Sequence, residues 1–318
     1  MVYLKFDGVC GKMSLIKKGA QLMRGGIVIV NKEEGLTSQA VVNRVKRIFG
    51  VSKAGHTGTL DPLATGVLPV LIERGVKASE YMLSSDKHYI ATLLLGLTTD
   101  TEDITGEVLT RTDSLPEDGA VIECASSFVG EYMQTPPMYS ALKVGGKKLC
   151  DLARRGVEIE REPRRVIIHS LKTTPLGEGE YSLEVVCSKG TYIRTLCADI
   201  GARLGVGGVM KTLCRASASG FTLSEGHTLS ELENMSEGER ESCVIPVERI
   251  FEKLPAVSLP PFFERLARAG LEIYQKKIST DLPLGTRVRL LGTDGFFALG
   301  EVMEFEDGEA IKPVKQFF

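Results

Sequence analysis

Apolar and polar positions along the chain follow two rhythms. GIVIVN at 26–31 is a short continuous apolar run, which predicts a buried strand. Lys32-Glu33-Glu34-Gly35 is a turn. Val41, Val42, Val45, Ile48 and Phe49 then recur at helical spacing, so a helix is expected with Thr37 or Ser38 as its cap and Gly50 at its end. Residues 54–66 (AGHTGTLDPLATG) lack periodicity and read as a loop. A strand at 67–72, a short helix around 77–83 and a strong strand at 88–96 follow. After the polar loop TTDTEDITG, residues 115–130 look helical. Residues 131–165 break the pattern with Pro136-Pro137, Gly145-Gly146 and many charges, and predict an inserted, mobile element. Strands near 165–173 and 181–187 precede a helix at about 193–204. Strands surround 209–224, and 229–241 reads as an acidic helix. From Leu282 the chain becomes short strands divided by turns, a small β-domain. The irregular alternation and frequent hairpin-like pairs predict an α+β fold with a mixed, largely antiparallel sheet. Residues 1–24 show no such pattern; they read as a flexible leader, or Met23 is the true start.

Composition narrows the class. A chain of 318 residues suggests about two domains. With 43% apolar and 25% charged residues it is neither disordered nor fibrous. No apolar run approaches the roughly 20 residues of a membrane helix. The net charge of −2 excludes a uniformly basic nucleic-acid binder but leaves room for a local basic face. Seven cysteines without a C-x-x-C pair read as reduced thiols, and Lys5 and Asp7 interrupt any signal-peptide core. Both point to the cytoplasm.

Candidate chemistry centres on one loop. Gly50, Gly55 and Thr57 mimic a phosphate-binding spacing, but His56 replaces the required lysine. The four histidines are scattered, and Asp100 and Asp103 read as an acidic turn rather than a metal site. Asp61 stands out. It precedes Pro62 and is flanked by Gly55, Gly58 and Gly66, which permit close backbone approach. From spacing alone, a turn or cap aspartate is the plainer reading.

GHTGTLDPLATGVLP (55–69) resembles the signature loop of the TruB-type pseudouridine synthases. The likeness continues in order through 26–50, 86–108, the inserted element GEYMQTPPMYSALKVGGKKLCDLARRG (130–156), 188–205 and 211–221. The tail resembles the family's C-terminal RNA-binding domain of the PUA type. The resemblance implies the pseudouridine synthase fold over 25–250, a thumb-like insert at about 130–160, and a PUA-like domain at 255–318. It implies isomerisation of uridine 55 in the T-loop of tRNA, with no cofactor, no metal and no obligatory protein partner. The expected form is a cytoplasmic monomer that also assists tRNA folding. The nearest alternatives are the related RNA-guided archaeal and eukaryotic enzymes and an RNA-binding protein without catalysis.

Residue by residue, the resemblance places the catalytic aspartate on Asp61 and its arginine on Arg194. Two parallel hydrogen bonds are expected between them. Tyr89 matches the tyrosine that stacks on the target base, and Tyr192 a second aromatic. Leu213 matches the apolar floor, and His56 the side chain that fills the space of the flipped nucleotide. Lys32 matches the lysine of the first motif, although Glu33 stands where the family has proline. Arg44, Lys46, Arg47 and Lys53 form an acid-free stretch, and Lys143, Lys147, Lys148, Arg154 and Arg155 a second basic run. Such residues suit phosphate contact while loop bases are read by shape and stacking.

Overall fold

The structure, a computed structural model, describes residues 25–317. The leader lies outside the described residues, as do the side chains of Lys143 and Lys148.

In chain order the strands before residue 255 are β1 (Gly26–Lys32), β2 (Ala54–His56), β3 (Thr65–Ile72), β4 (Lys87–Leu95), β5 (Leu97–Thr99), β6 (Val108–Arg111), β7 (Gly130–Gln134), β8 (Lys143–Val144), β9 (Lys147–Lys148), β10 (Arg164–Gly177), β11 (Glu180–Cys187), β12 (Gly208–Ala218) and β13 (Phe221–Thr222). The helices are α1 (Ser38–Phe49), α2 (Ser79–Leu83), α3 (Asp118–Ser126), α4 (Leu149–Ala153), α5 (Ile193–Arg203), α6 (Leu229–Asn234), α7 (Glu237–Ser242) and α8 (Pro261–Arg268). One sheet runs β1-β3-β12-β4-β11-β10-β7, with β2 paired to β3 and β13 to β12. Its only parallel pair among the described residues is β3 with β12. The fold is therefore α+β with a mixed, mainly antiparallel sheet, as expected.

The sheet separates two apolar layers. Along β1, Val28 and Val30 join the layer beneath α1, α3 and α5, whereas Ile27 and Ile29 join the opposite layer with Met82 and Phe221. Strand periodicity of two sends neighbours to opposite faces, which is why the run is continuously apolar. In α1, Val41, Val42, Val45 and Phe49 are buried, each contributing roughly 1.5–3 kcal/mol relative to exposure. Thr37 caps the helix by accepting from Ala40 N, and Gly50 ends it at φ 62°, in the left-handed region.

One expectation changes. Residues 130–134 are not part of a mobile insert; they form β7 and pair with Arg164–Ile168 of β10. The insert is confined to 135–163, where β8, β9 and α4 form a small hairpin and one helical turn. The acidic segment 229–241 is helical as expected, in two short helices, each started by a capping box (Thr228 with Glu231, Ser236 with Glu239).

Beyond residue 255, β14 (Ala256–Ser258), β15 (Ile273–Tyr274), β16 (Arg287–Gly292), β17 (Gly295–Phe305) and β18 (Gly308–Gln316) form a second sheet in the order β14-β16-β17-β18-β15. It has its own core around Ile273, Val288, Leu290, Phe297 and Ile311. An aromatic cluster of Tyr81, Phe251, Phe296 and Phe317 joins it to the first sheet's helices.

Candidate active site

Asp61 lies in the loop between β2 and β3, and three elements hold that loop. Lys32, at the end of β1, is 1% exposed, and its Nζ donates to Ala64 O (2.5 Å), Glu33 O (3.0 Å) and Pro62 O (3.1 Å). Ser38 of α1 clamps Leu60: its Oγ accepts from Leu60 N (2.8 Å) and donates to Leu60 O (3.0 Å). Ala64 N closes the turn on Asp61 O at 3.1 Å. The residues on either side of Asp61 are thus tied down, while its own carboxylate is 36% exposed.

That carboxylate faces Arg194. Arg194 Nε donates to Asp61 Oδ2 at 2.9 Å, and the arginine side chain is 4% exposed. The expected pair of parallel hydrogen bonds is absent. The other guanidinium nitrogens are taken by Thr101 O (2.9 Å) and Tyr139 O (2.7 Å). Asp103 Oδ2 lies 3.9 Å from Nε, so a second carboxylate shares the charge. Asp103 is itself fixed by Thr101 Oγ1 (2.9 Å), Thr105 N (3.0 Å) and Thr105 Oγ1 (2.6 Å). It is a structured turn acid, and no metal-ligand cluster occurs among the described residues.

Arg194 opens α5, where the helix dipole opposes positive charge. Its position is set by Gln134 at the end of β7. That amide donates to Tyr192 O (2.9 Å) and accepts from Tyr192 N (2.8 Å). Tyr192 is half-buried at the N-cap. Tyr89 and Leu213, each 8% exposed, lie on neighbouring strands β4 and β12 and share the core layer below the loop. His56, at the end of β2, accepts from Gly58 N at 3.4 Å.

The electrostatics follow from burial. Desolvation pulls the Lys32 ammonium down to about 8, against the opposing pull of Asp61 and Glu34. Burial lowers His56, and Arg215 adds to the effect. Burial raises the phenols of Tyr89 and Tyr192.

Asp61 thus bonds Arg194 and lies within electrostatic reach of Lys32, Tyr89 and Tyr192, Leu213 shares the core layer of Tyr89, and His56 is linked to Tyr89 through the charge of Arg215. The basic residues sit apart on α1 and the insert. Lys46 is half-buried, Arg47, Lys53, Lys147, Arg154 and Arg155 are exposed, and Arg44 pairs with Glu233 of α6 at 2.6 Å. Three contributors were not singled out from sequence: Ser38 as a clamp, Gln134 and Arg215. Arg215 carried a usable signal, a charge two residues from Leu213 and hence on the same strand face.

Comparison with known sequences now bears on this arrangement. Residues 46–193 match the TruB family pseudouridylate synthase N-terminal domain. Residues 194–252 match the tRNA pseudouridylate synthase B C-terminal domain. The tRNA pseudouridine synthase B of Clostridium tetani is 38% identical over 279 residues, covering 87% of this chain and 95% of the relative. The chain belongs to the TruB family of pseudouridine synthases. The enzyme of the same name from Syntrophotalea carbinolica is 40% identical over 279 residues, covering 86% of this chain and 90% of the relative. A solved structure of a Cbf5-Nop10-Gar1 complex aligns with TM-score 0.68 and 26% identity, covering 93% of this chain and 86% of that one. As a TruB-family pseudouridine synthase, the chain is an isomerase.

Proposed function

We propose that this chain isomerises uridine to pseudouridine at position 55 in the T-loop of tRNA, with Asp61 as nucleophile and without a cofactor. The observation that carries this reading is Asp61 itself: an accessible carboxylate on a loop anchored at Leu60, Pro62 and Ala64, oriented by a buried arginine. Nucleophilic catalysis needs a carboxylate held within reach of the reacting atoms. The reaction breaks the C1′–N1 bond and makes C1′–C5. N1 ends with a proton and C5 loses one, so no oxidation state changes and no redox group is required.

The other residues supply what a flipped base needs. Tyr89 and Leu213 offer an aromatic and an apolar face, Tyr192 lies beside them, and His56 fills the vacated stack. Lys32 acts from below by holding the loop. Arg44, Lys46, Arg47, Lys53, Lys143, Lys147, Lys148, Arg154 and Arg155 contact tRNA phosphates, and the C-terminal sheet serves as a PUA-like RNA-binding unit. The protein works as a cytoplasmic monomer on the T-stem-loop and also assists tRNA folding. The 38% and 40% identities to proteins named tRNA pseudouridine synthase B, against 26% to a chain from a Cbf5-Nop10-Gar1 complex, favour a tRNA enzyme over a member of such a complex.

The test is an unmodified tRNA transcript, a pseudouridine-specific chemical stop in primer extension, and wild type beside Asp61→Asn. A new stop at the T-loop uridine with wild type alone supports the reading. Tight binding with no stop from either protein replaces it with an RNA-binding role.

A further inference from the structure

Arg215 lies on β12, opposite Tyr89 of β4 in the antiparallel register and beside Gly66 of β3 in the parallel one. It is 1% exposed and the largest of the fully buried side chains. A buried charge without a counter-charge is expensive. Yet among the described residues no carboxylate lies within ion-pair distance of it. Its Nε donates to Val67 O (2.8 Å), its Nη2 donates to Gly58 O (3.1 Å), and its charge faces the phenol of Tyr89, its partner across the strand pair.

The two carbonyls are not a random pair. Gly58 and Val67 stand on either side of Asp61, so one guanidinium spans both ends of its loop. The close fit is also visible in the backbone. A Cβ on Gly66 would meet Arg215 O at 2.4 Å, and one on Gly58 would meet Arg215 Nη1 at 3.3 Å. Arginine has donors and no acceptor. Toward Tyr89 it therefore presents only positive charge.

We propose that Arg215 is a positioning residue for the isomerisation: it bridges the two ends of the Asp61 loop and holds a positive charge against the Tyr89 phenol. Its bearing on the isomerisation rests on the function proposed above. Tyr89 is faced by Arg215 from β12, Cys187 from β11 and Asp61 from the loop. Burial raises its phenol, and Arg215 pulls in the opposite direction. Arg215 acts through Tyr89 and the loop, not by touching substrate.

The test compares Arg215→Gln, Arg215→Lys, Tyr89→Phe and the double variant Arg215→Gln/Tyr89→Phe on an unmodified tRNA transcript. Arg215→Gln should lower kcat by at least about 30-fold with KM within about twofold, the signature of a transition-state rather than a binding defect. Arg215→Lys, which keeps the charge and a donor, should recover part of the loss. The double variant should match the slower single one within about threefold, because coupled residues are not additive. Independent losses that multiply, or a change confined to KM, would overturn the proposal. A second readout needs no activity. With 3-fluorotyrosine at position 89, fluorine NMR should show the phenol titrating at higher pH in Arg215→Gln than with Arg215 present. An unchanged titration overturns the proposal as well. Wild type that converts no uridine sinks the proposed function instead, and the fluorine titration still decides whether Arg215 governs the hydroxyl.

Discussion

Replacing Lys32 with methionine separates its charge from its shape. The stem is buried in both cases, but Met cannot donate to Glu33 O, Pro62 O or Ala64 O. Pro62 O keeps Gly35 N at 2.8 Å, and Glu33 is exposed to water, so Ala64 O is the acceptor left bare. Losing charge-assisted bonds to buried acceptors costs about 3–5 kcal/mol in total. Against this stands the burial of an ammonium. Its fall from 10.5 to about 8 corresponds to about 3 kcal/mol of penalty on the charged form. The net expectation at pH 7 is a destabilisation of no more than about 2 kcal/mol. The pH dependence is sharper. Between about 8 and 10.5 the unfolded chain holds a proton on Lys32 that the folded chain has released. The wild type therefore gains stability as pH rises through that window, by up to about 3 kcal/mol, and the gain is absent below it. The methionine variant lacks this term, so its deficit widens with pH. Urea unfolding of both proteins from pH 7 to 10 measures the difference, and pseudouridine formation is followed in parallel. Activity should fall at least about 100-fold at pH 7, because misplacement of a nucleophile by an ångström has that order of effect. A stability difference flat across this pH range, or full activity, would refute the account of Lys32 as a buried cation that holds the loop.

Gly66→Ala should yield insoluble or severely destabilised protein, by more than about 4 kcal/mol, since the new Cβ meets backbone at φ 104°; expression and thermal melting would report it. Beside the C-terminal sheet, Glu264 of α8 accepts from Thr293 N (2.8 Å) and Thr293 Oγ1 (2.9 Å) and pairs with Arg268 (2.7 Å). Glu264→Gln should cost about 2 kcal/mol near neutral pH. The Thr293 amide and Arg268 hold that carboxyl below its ordinary value, so the cost should shrink as pH falls through the folded value; melts at acidic and neutral pH check the sign. Arg154→Glu with Arg155→Glu should weaken tRNA binding and reduce the log–log salt slope by about 1.4, two phosphate contacts at single-strand weight, read by filter binding across salt concentrations.

Local pattern determined a large part of this protein. The valines of α1, its Thr37 cap and its Gly50 end are readable because helix period and capping act within a few residues. The strand alternation of HYIATLLLG places Tyr89 on the covered face for the same reason. Sequence likeness nominated Asp61 and Arg194, which are 133 positions apart, although no local rule links them. Tertiary structure alone decided the rest. It spent the guanidinium of Arg194 on two carbonyls and left a single bond for Asp61. The acid-free stretch of α1 also proved not to be an acid-free surface, because Glu233 arrives from α6. Residues 130–134 joined the sheet because β10 offered an edge to pair with, a fact absent from their own composition. Gln134, Ser38 and Arg215 matter through hydrogen bonds to backbone far away in the chain. Backbone carbonyls carry no sequence signature, so partners chosen for them become visible only when the fold brings them within reach.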